Sequence, residues 1–121
     1  MIESQRSDRI FHIASSAAWR KALERGVYPA DGLEKGGLIH CCYRSQIRGV
    51  ASRFFRNEKE LVLVEIDVQK LSPDVKEENL EGGQELFPHI YGPINLEAVV
   101  AVRQFVPEDI LLIQKGSEKD G

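Results

Sequence analysis

Cysteine, histidine and long apolar runs are all scarce in this chain, and each scarcity removes a class of protein. The two cysteines, Cys41 and Cys42, are adjacent. Neighbouring residues of a strand point to opposite faces, so a structural disulfide between them is geometrically awkward. No CxxC or HxxxH spacing exists, and a structural zinc site needs about four well-spaced ligands. Both cysteines read as reduced thiols, at least one packed as a small apolar residue. No apolar run approaches the roughly 20 residues of a membrane-spanning helix. Met1 to Arg9 is polar and lacks the apolar centre of a signal peptide, so a cytoplasmic chain with no membrane partner is expected. Basic excess is also missing: 16 Lys and Arg face 19 Asp and Glu, for a net charge of −3. Bulk nucleic-acid binding needs a clustered basic surface and is not expected, whereas a pocket for a single phosphate stays open. There is no glycine-rich phosphate loop and no internal repeat.

What the chain does have is a dense stretch, Phe87-Pro88-His89-Ile90-Tyr91-Gly92-Pro93-Ile94. It gathers two aromatics, a histidine and two prolines, although the whole sequence holds only three histidines and five prolines. His12 and His40 lie in similar apolar runs, Ile10-Phe11-His12-Ile13 and Gly37-Leu38-Ile39-His40-Cys41. All three histidines read as strand positions beside a core.

At 121 residues the simplest organisation is one globular domain over 10–114, after a polar lead (1–9) and before a frayed tail (115–121). Arg9 to Ala14 reads as a strand with Ile10, His12 and Ala14 on one face and Phe11 and Ile13 on the other. Ser15 or Ser16 can cap a helix that carries Trp19 into the core and stops at Gly26. Residues 27–36 hold Pro29, Gly32 and Gly36 and read as a loop. A strand over 37–42 follows. A helix opening at Ser45 then places Ile47, Val50, Ala51, Phe54 and Phe55 on one stripe. Arg44, Arg48, Arg53 and Arg56 fall off that stripe, as a solvated face or an anion-binding edge.

Residues 60–67 give the strongest strand signal, with the continuous apolar content of a strand covered on both faces. Glu65 interrupts it and requires a partner, either a salt bridge or a ligand. A short strand over 75–78, a loop over 80–84, a one-turn helix capped by Asn95 and a strand over 99–106 follow. Residues 110–113 can form a last short strand. The order predicts an α+β fold, a bent mixed sheet with two main helices on one side.

Taken by chemistry, His12, His40, His89 and Tyr91 can converge on one cleft. Neutral imidazoles there would bond ribose hydroxyls or phosphate, or transfer protons near neutral pH. Tyr91 lies two residues from His89 and shares its strand face, setting a ring beside an imidazole. The alternatives are a three-histidine zinc site, for which the spacing is poor, and histidines bonded to backbone within the core.

Phe11-His12-Ile13-Ala14, Gly37-Leu38-Ile39-His40-Cys41, Leu61 to Asp67 and Glu85 to Ile94 resemble the signature of the family called domain of unknown function 952. These are small, mainly bacterial proteins grouped with the ADP-ribosyltransferase-like fold. The resemblance spans about Ile10 to Phe105. It implies a split, bent sheet whose cleft binds NAD, ADP-ribose or a related phosphorylated nucleotide; from the ligand spacings alone, no metal is expected. Active relatives carry a triad on three strands, and by chain order His12 and His40 fill the first two places. His89 then stands where a glutamate is usual, with Glu85 or Glu65 as the nearest substitutes. Cys42 replaces a frequent serine, and Glu77 an aromatic that often precedes Glu78. The resemblance thus makes His12, His40 and His89 the catalytic candidates, with Tyr91, Glu65 and Glu85 at the ligand. A carboxylate stabilises the positive charge that builds on the ribose as nicotinamide leaves, and a neutral histidine does so far less. Weak or absent NAD cleavage is therefore expected. The other reading is a non-catalytic binding module with structural histidines.

Overall fold

The structure is a computed structural model, and it describes residues 8–29, 37–79 and 84–107. Its spine is the strand that reads most strongly in the sequence, β4 (Leu61–Asp67), whose first six residues are buried. β4 lies between β1 (Arg9–Ser15) and β8 (Val99–Phe105), antiparallel to both. The second sheet orders β3 (Ile39–His40), β6 (Phe87–Tyr91) and β5 (Asp74–Glu78), again antiparallel. β2 (Val27–Tyr28) and β7 (Ile94–Asn95) make a separate pair. The protein is therefore α+β, as expected, but its sheet is not mixed: among the described residues every pairing is antiparallel, in three sheets.

Among the described residues two α-helices complete the architecture, and they pack on opposite faces of the β1–β4 pair rather than on one side as expected, because alternate residues of these strands face the first helix and the second. In α1 (Ser16–Arg25) the hydroxyl of Ser15 accepts the Ala18 N–H, and Gly26 closes the last turn at φ 86°, donating its N–H to Ala22. Only glycine takes that left-handed conformation without a Cβ penalty. Trp19 and Ala22 face the core, but Leu23 is exposed. α2 (Ile47–Phe54) starts two residues later than expected because a 3₁₀ turn, Arg44–Gln46, comes first. The Gln46 side chain accepts the Tyr43 N–H and fixes that turn.

The core divides at β1 and β4. Ile10, Ala14, Val62, Val64 and Ile66 face one cluster with Trp19, Tyr28, Ile39 and Ile90. Phe11, Ile13, Leu61 and Leu63 face the other with Ile47, Ala51, Phe87 and Phe105. Cys41 enters the first cluster and Cys42 the second, as residue alternation requires, and both are free thiols. Phe54, placed on the apolar stripe by its spacing, is 56% exposed. The one-turn helix after Asn95 forms over Leu96–Ala98. The strand expected over 110–113, most of the loop over 80–84, and the tail lie outside the described residues.

Residues 27 and 28, expected within a loop, form β2 instead. Two residues give no periodicity to read, and this strand exists because Ile94 and Asn95 pair with it across the molecule. That pairing positions Tyr28.

Candidate functional site

Among the described residues, one isolated bridge joins the two larger sheets. Phe11 and Cys42 form an isolated antiparallel bridge, exchanging both backbone hydrogen bonds at 2.8 Å. Beyond it the ladder does not continue, and the strands part. By the alternation of an antiparallel edge, the N–H and C=O of Ile13 face the same side as those of Phe11, toward this seam. His12 reaches across: its Nδ1 lies 2.8 Å from the carbonyl oxygen of His40. A side chain thus holds the backbone acceptor that a continued ladder would have given to an amide.

The second nitrogen of His12, Nε2, is 3.0 Å from the Tyr28 hydroxyl, and the rings meet edge-to-face with centroids 5.2 Å apart. Trp19 backs Tyr28 at 6.0 Å. A carbonyl can only accept, so in the neutral imidazole Nδ1 carries the proton and Nε2 accepts from the Tyr28 O–H.

A cavity of about 930 Å³ fills the gap. His12, Ser15 and Tyr28 border it from one side, Gly37 to Cys42 from the other, and Val50, Phe54, Phe55 and Glu58 at the α2 end. His12 and His40 therefore share a cavity. Their side chains nevertheless leave the seam on opposite faces, because the bridge puts Phe11 and Cys42 on one face and both histidines are one or two positions removed. His12 lies with Tyr28 and Cys41, and His40 with Cys42 and Phe87.

The other expected site residues take different places. His89 is fully buried; its ring meets the ring of His40 edge-to-face at 5.0 Å, and its Nδ1 lies 3.8 Å from a Glu78 carboxylate oxygen. Tyr91 donates its hydroxyl proton to the same oxygen of Glu78, and the Lys76 ammonium sits 4.9 Å above its ring. The hydrogen bond to Glu78, then burial and the Glu78 charge, raise the Tyr91 phenol above its ordinary pKa. His89 and Tyr91 do share a wall, but neither borders the cavity.

Glu65 does not reach the cleft. It pairs with Phe11 across the ladder and so occupies the face away from His12. Its carboxylate is held by Arg9 at 3.0 Å, Arg103 at 3.5 Å and Arg44 at 3.9 Å, and Arg44 also covers the Phe11 ring at 4.8 Å. The salt bridge rather than a ligand explains this buried acid. Glu85 is exposed, within 3.4 Å of the Gln46 amide, and does not border the cavity. Glu77, where the resemblance expects an aromatic, accepts from the Tyr43 hydroxyl at 2.9 Å.

Burial pushes the Cys42 thiol up to about 12, helped by the charge of Glu85. Cys41 is raised too, by burial and then by Cys42. Neither is set up as a nucleophile, which requires a depressed thiol pKa. Among the described residues no three of His, Cys, Asp or Glu are arranged to hold a metal ion. None of their helices is long and apolar enough to cross a membrane.

Tyr28 is the residue that sequence reasoning missed. It stands in a stretch read as loop, and its partner is 16 positions away. The only available signal was a valine–tyrosine pair directly after the Gly26 helix stop.

Fold and site together define an α+β protein with two antiparallel sheets joined at one bridge and a histidine-bordered cleft where they part. The chain belongs to the family described as "Protein of unknown function (DUF952)", whose model matches residues 13–102. It is similar to the crystal structure of protein CC0527 from Caulobacter crescentus. The two are 32% identical, with 79% of this chain and 84% of that one covered and a TM-score of 0.69. The solution structure of CC0527 gives 29% identity, 83% and 86% coverage and a TM-score of 0.70. No curated protein matches the chain.

Proposed function

We propose that the seam is a nucleotide site of the ADP-ribosyltransferase-like kind, taking NAD, ADP-ribose or a related phosphorylated nucleotide, with weak or no cleavage of NAD. The observation that carries this reading is the parting of the two sheets beyond Phe11 and Cys42, with His12, Tyr28 and His40 bordering one cavity of about 930 Å³. That volume lies within the few hundred to about 1,000 Å³ usual for ligand pockets, and its mostly apolar walls with few polar groups are the usual composition. The strand edge at Ile13 adds a backbone donor and acceptor side by side, a match for a carboxamide.

Slow cleavage follows from where the acids lie. Glu65 is committed to three arginines on the face opposite His12, and neither Glu65 nor Glu85 borders the cavity. His89, in the position of the usual glutamate, is behind His40. Glu58 is the one carboxylate among the described residues that borders the cavity, at its α2 end. Loss of one preorganised electrostatic contact costs about 100- to 1000-fold in rate. The test is thermal-shift titration with NAD, ADP-ribose and nicotinamide, followed by a time course of nicotinamide release. Stabilisation by ADP-ribose with little release supports the reading; rapid release contradicts the charge argument, and no stabilisation contradicts the ligand class.

A second reading, a non-catalytic module with structural histidines, is favoured by one observation. Both ring nitrogens of His12 are engaged by protein groups, and His89 is fully buried. In that case none of the three compounds stabilises the protein.

A further inference from the structure

The α2 end of the cavity has a chemistry that the histidine lips do not share. Glu58 borders it there, with Val50, Phe54 and Phe55. A local turn sets the acid in place: just past α2, the Glu58 N–H donates to the Phe55 carbonyl at 2.9 Å. Among the described residues no ion pair or hydrogen bond holds the Glu58 carboxylate. No lysine or arginine among them borders the cavity either. The wall therefore presents one carboxylate, with no such cation to balance it, on a mostly apolar surface. Phe54 adds to this end. It lies on the apolar stripe of α2, yet it is 56% exposed and borders the cavity instead of entering the core.

We infer that the α2 end of the cavity is a subsite for a positively charged aromatic ring, with Glu58 opposing its charge and Phe55 packing against it. Phe54 is the lesser partner, because the Arg53 guanidinium already lies 5.4 Å from its ring centroid and repels a second cation there. An anionic group is disfavoured at this end, since it meets a like charge and no cation. The identity of the ring rests on the nucleotide reading: in a dinucleotide the positive charge is that of the oxidised nicotinamide. These walls offer a diphosphate no lysine or arginine, so the charged ring is the part of the ligand they select. The site then distinguishes NAD from NADH, whose dihydronicotinamide is nearly the same size and uncharged. Glu58 is exposed and acts through water. Its effect is that of a surface ion pair or an exposed cation–π contact, about two- to fivefold in affinity and screened by salt.

The test is calorimetric titration of the native protein with NAD, NADH and ADP-ribose, at low and at high salt, repeated on Glu58→Gln. The expectation is that native protein binds NAD about two- to fivefold more tightly than NADH, that salt narrows the gap, and that Glu58→Gln closes it. ADP-ribose lacks the ring, so its affinity should not depend on residue 58. Equal affinity for NAD and NADH, or tighter binding of NADH, overturns the subsite and leaves the nucleotide reading standing. So does a preference for NAD that persists in Glu58→Gln. Failure of the native protein to bind any of the three compounds overturns both. The comparison of NAD with NADH needs no variant, and thermal melting of Glu58→Gln confirms that the variant is folded.

Discussion

The His12 Nδ1 lies 2.8 Å from the carbonyl oxygen of His40, and this bond spans the seam just beyond the last backbone bridge between the sheets. It couples the architecture to the site. The same imidazole that ties β1 to β3 also orients the Tyr28 hydroxyl.

Replacing His12 should therefore cost stability as well as binding. His12→Ala removes the bond to the His40 carbonyl, at an exposed residue, and the part-buried bond to the Tyr28 hydroxyl. A loss of about 0.5–1.5 kcal/mol, the net worth of a typical hydrogen bond, is expected. Urea denaturation checks it; an unchanged midpoint would show that the bond is incidental.

Glu65 gives the opposite pattern. Glu65→Gln should destabilise the protein by about 1–2 kcal/mol, less at high salt, since the arginines are about half exposed or more and screened accordingly. ADP-ribose affinity should not move. A change in affinity without a change in stability would place Glu65 at the ligand after all.

The thiols set an alkaline limit. Their pKa values are raised in the folded state, for Cys42 to about 12, while an unfolded cysteine titrates near 8.5. The folded chain then holds these protons more tightly. Their contribution is fully present below about pH 8.5 and falls as pH rises through the folded values, by up to about 1.4 kcal/mol per pH unit per thiol. Denaturation midpoints between pH 8 and 11 should decline, and less so in Cys42→Ala than in the native protein, relative to each at pH 7. At pH 8 a thiol reagent should react with the folded protein far more slowly than with the denatured chain. Rapid reaction of the folded form would contradict the burial.

Gly92 tests the turn after β6. At φ 150° an added Cβ would stand 2.9 Å from the Cβ of Pro73. Backbone conformation and space both oppose a side chain, so Gly92→Ala should destabilise by roughly 1–3 kcal/mol. Calorimetry of the variant measures this directly, and a neutral effect would mean that the turn can shift.

Much of this fold was legible in the sequence, for physical reasons that also explain the failures. β4 and β8 announce themselves by dense β-branched and apolar content, and α1 by its serine cap and glycine stop. β2 does not, since two residues carry no period and are held only by β7. The histidines could be assigned to strands and recognised as a group. Which face each would take could not, because that depends on the Phe11–Cys42 register, and a shift of one residue would reverse every assignment. For the same reason Glu65 could be seen to need a partner, but not that three arginines on the face opposite His12 supply it. Tyr91 and His89 both reach Glu78; that their wall turns toward Glu78 rather than the cavity follows from β5, whose pairing no local pattern reveals.

The central claim, that the seam between the sheets is a nucleotide site, is tested most directly by titrating ¹⁵N-labelled protein with ADP-ribose and mapping the amide shifts. The account predicts saturable changes at residues 12–15, at Tyr28 and at residues 37–42, with Glu65 and Arg103, which do not border the cavity, unmoved. Saturation without shifts along both lips of the seam, or no shifts at all, would contradict it.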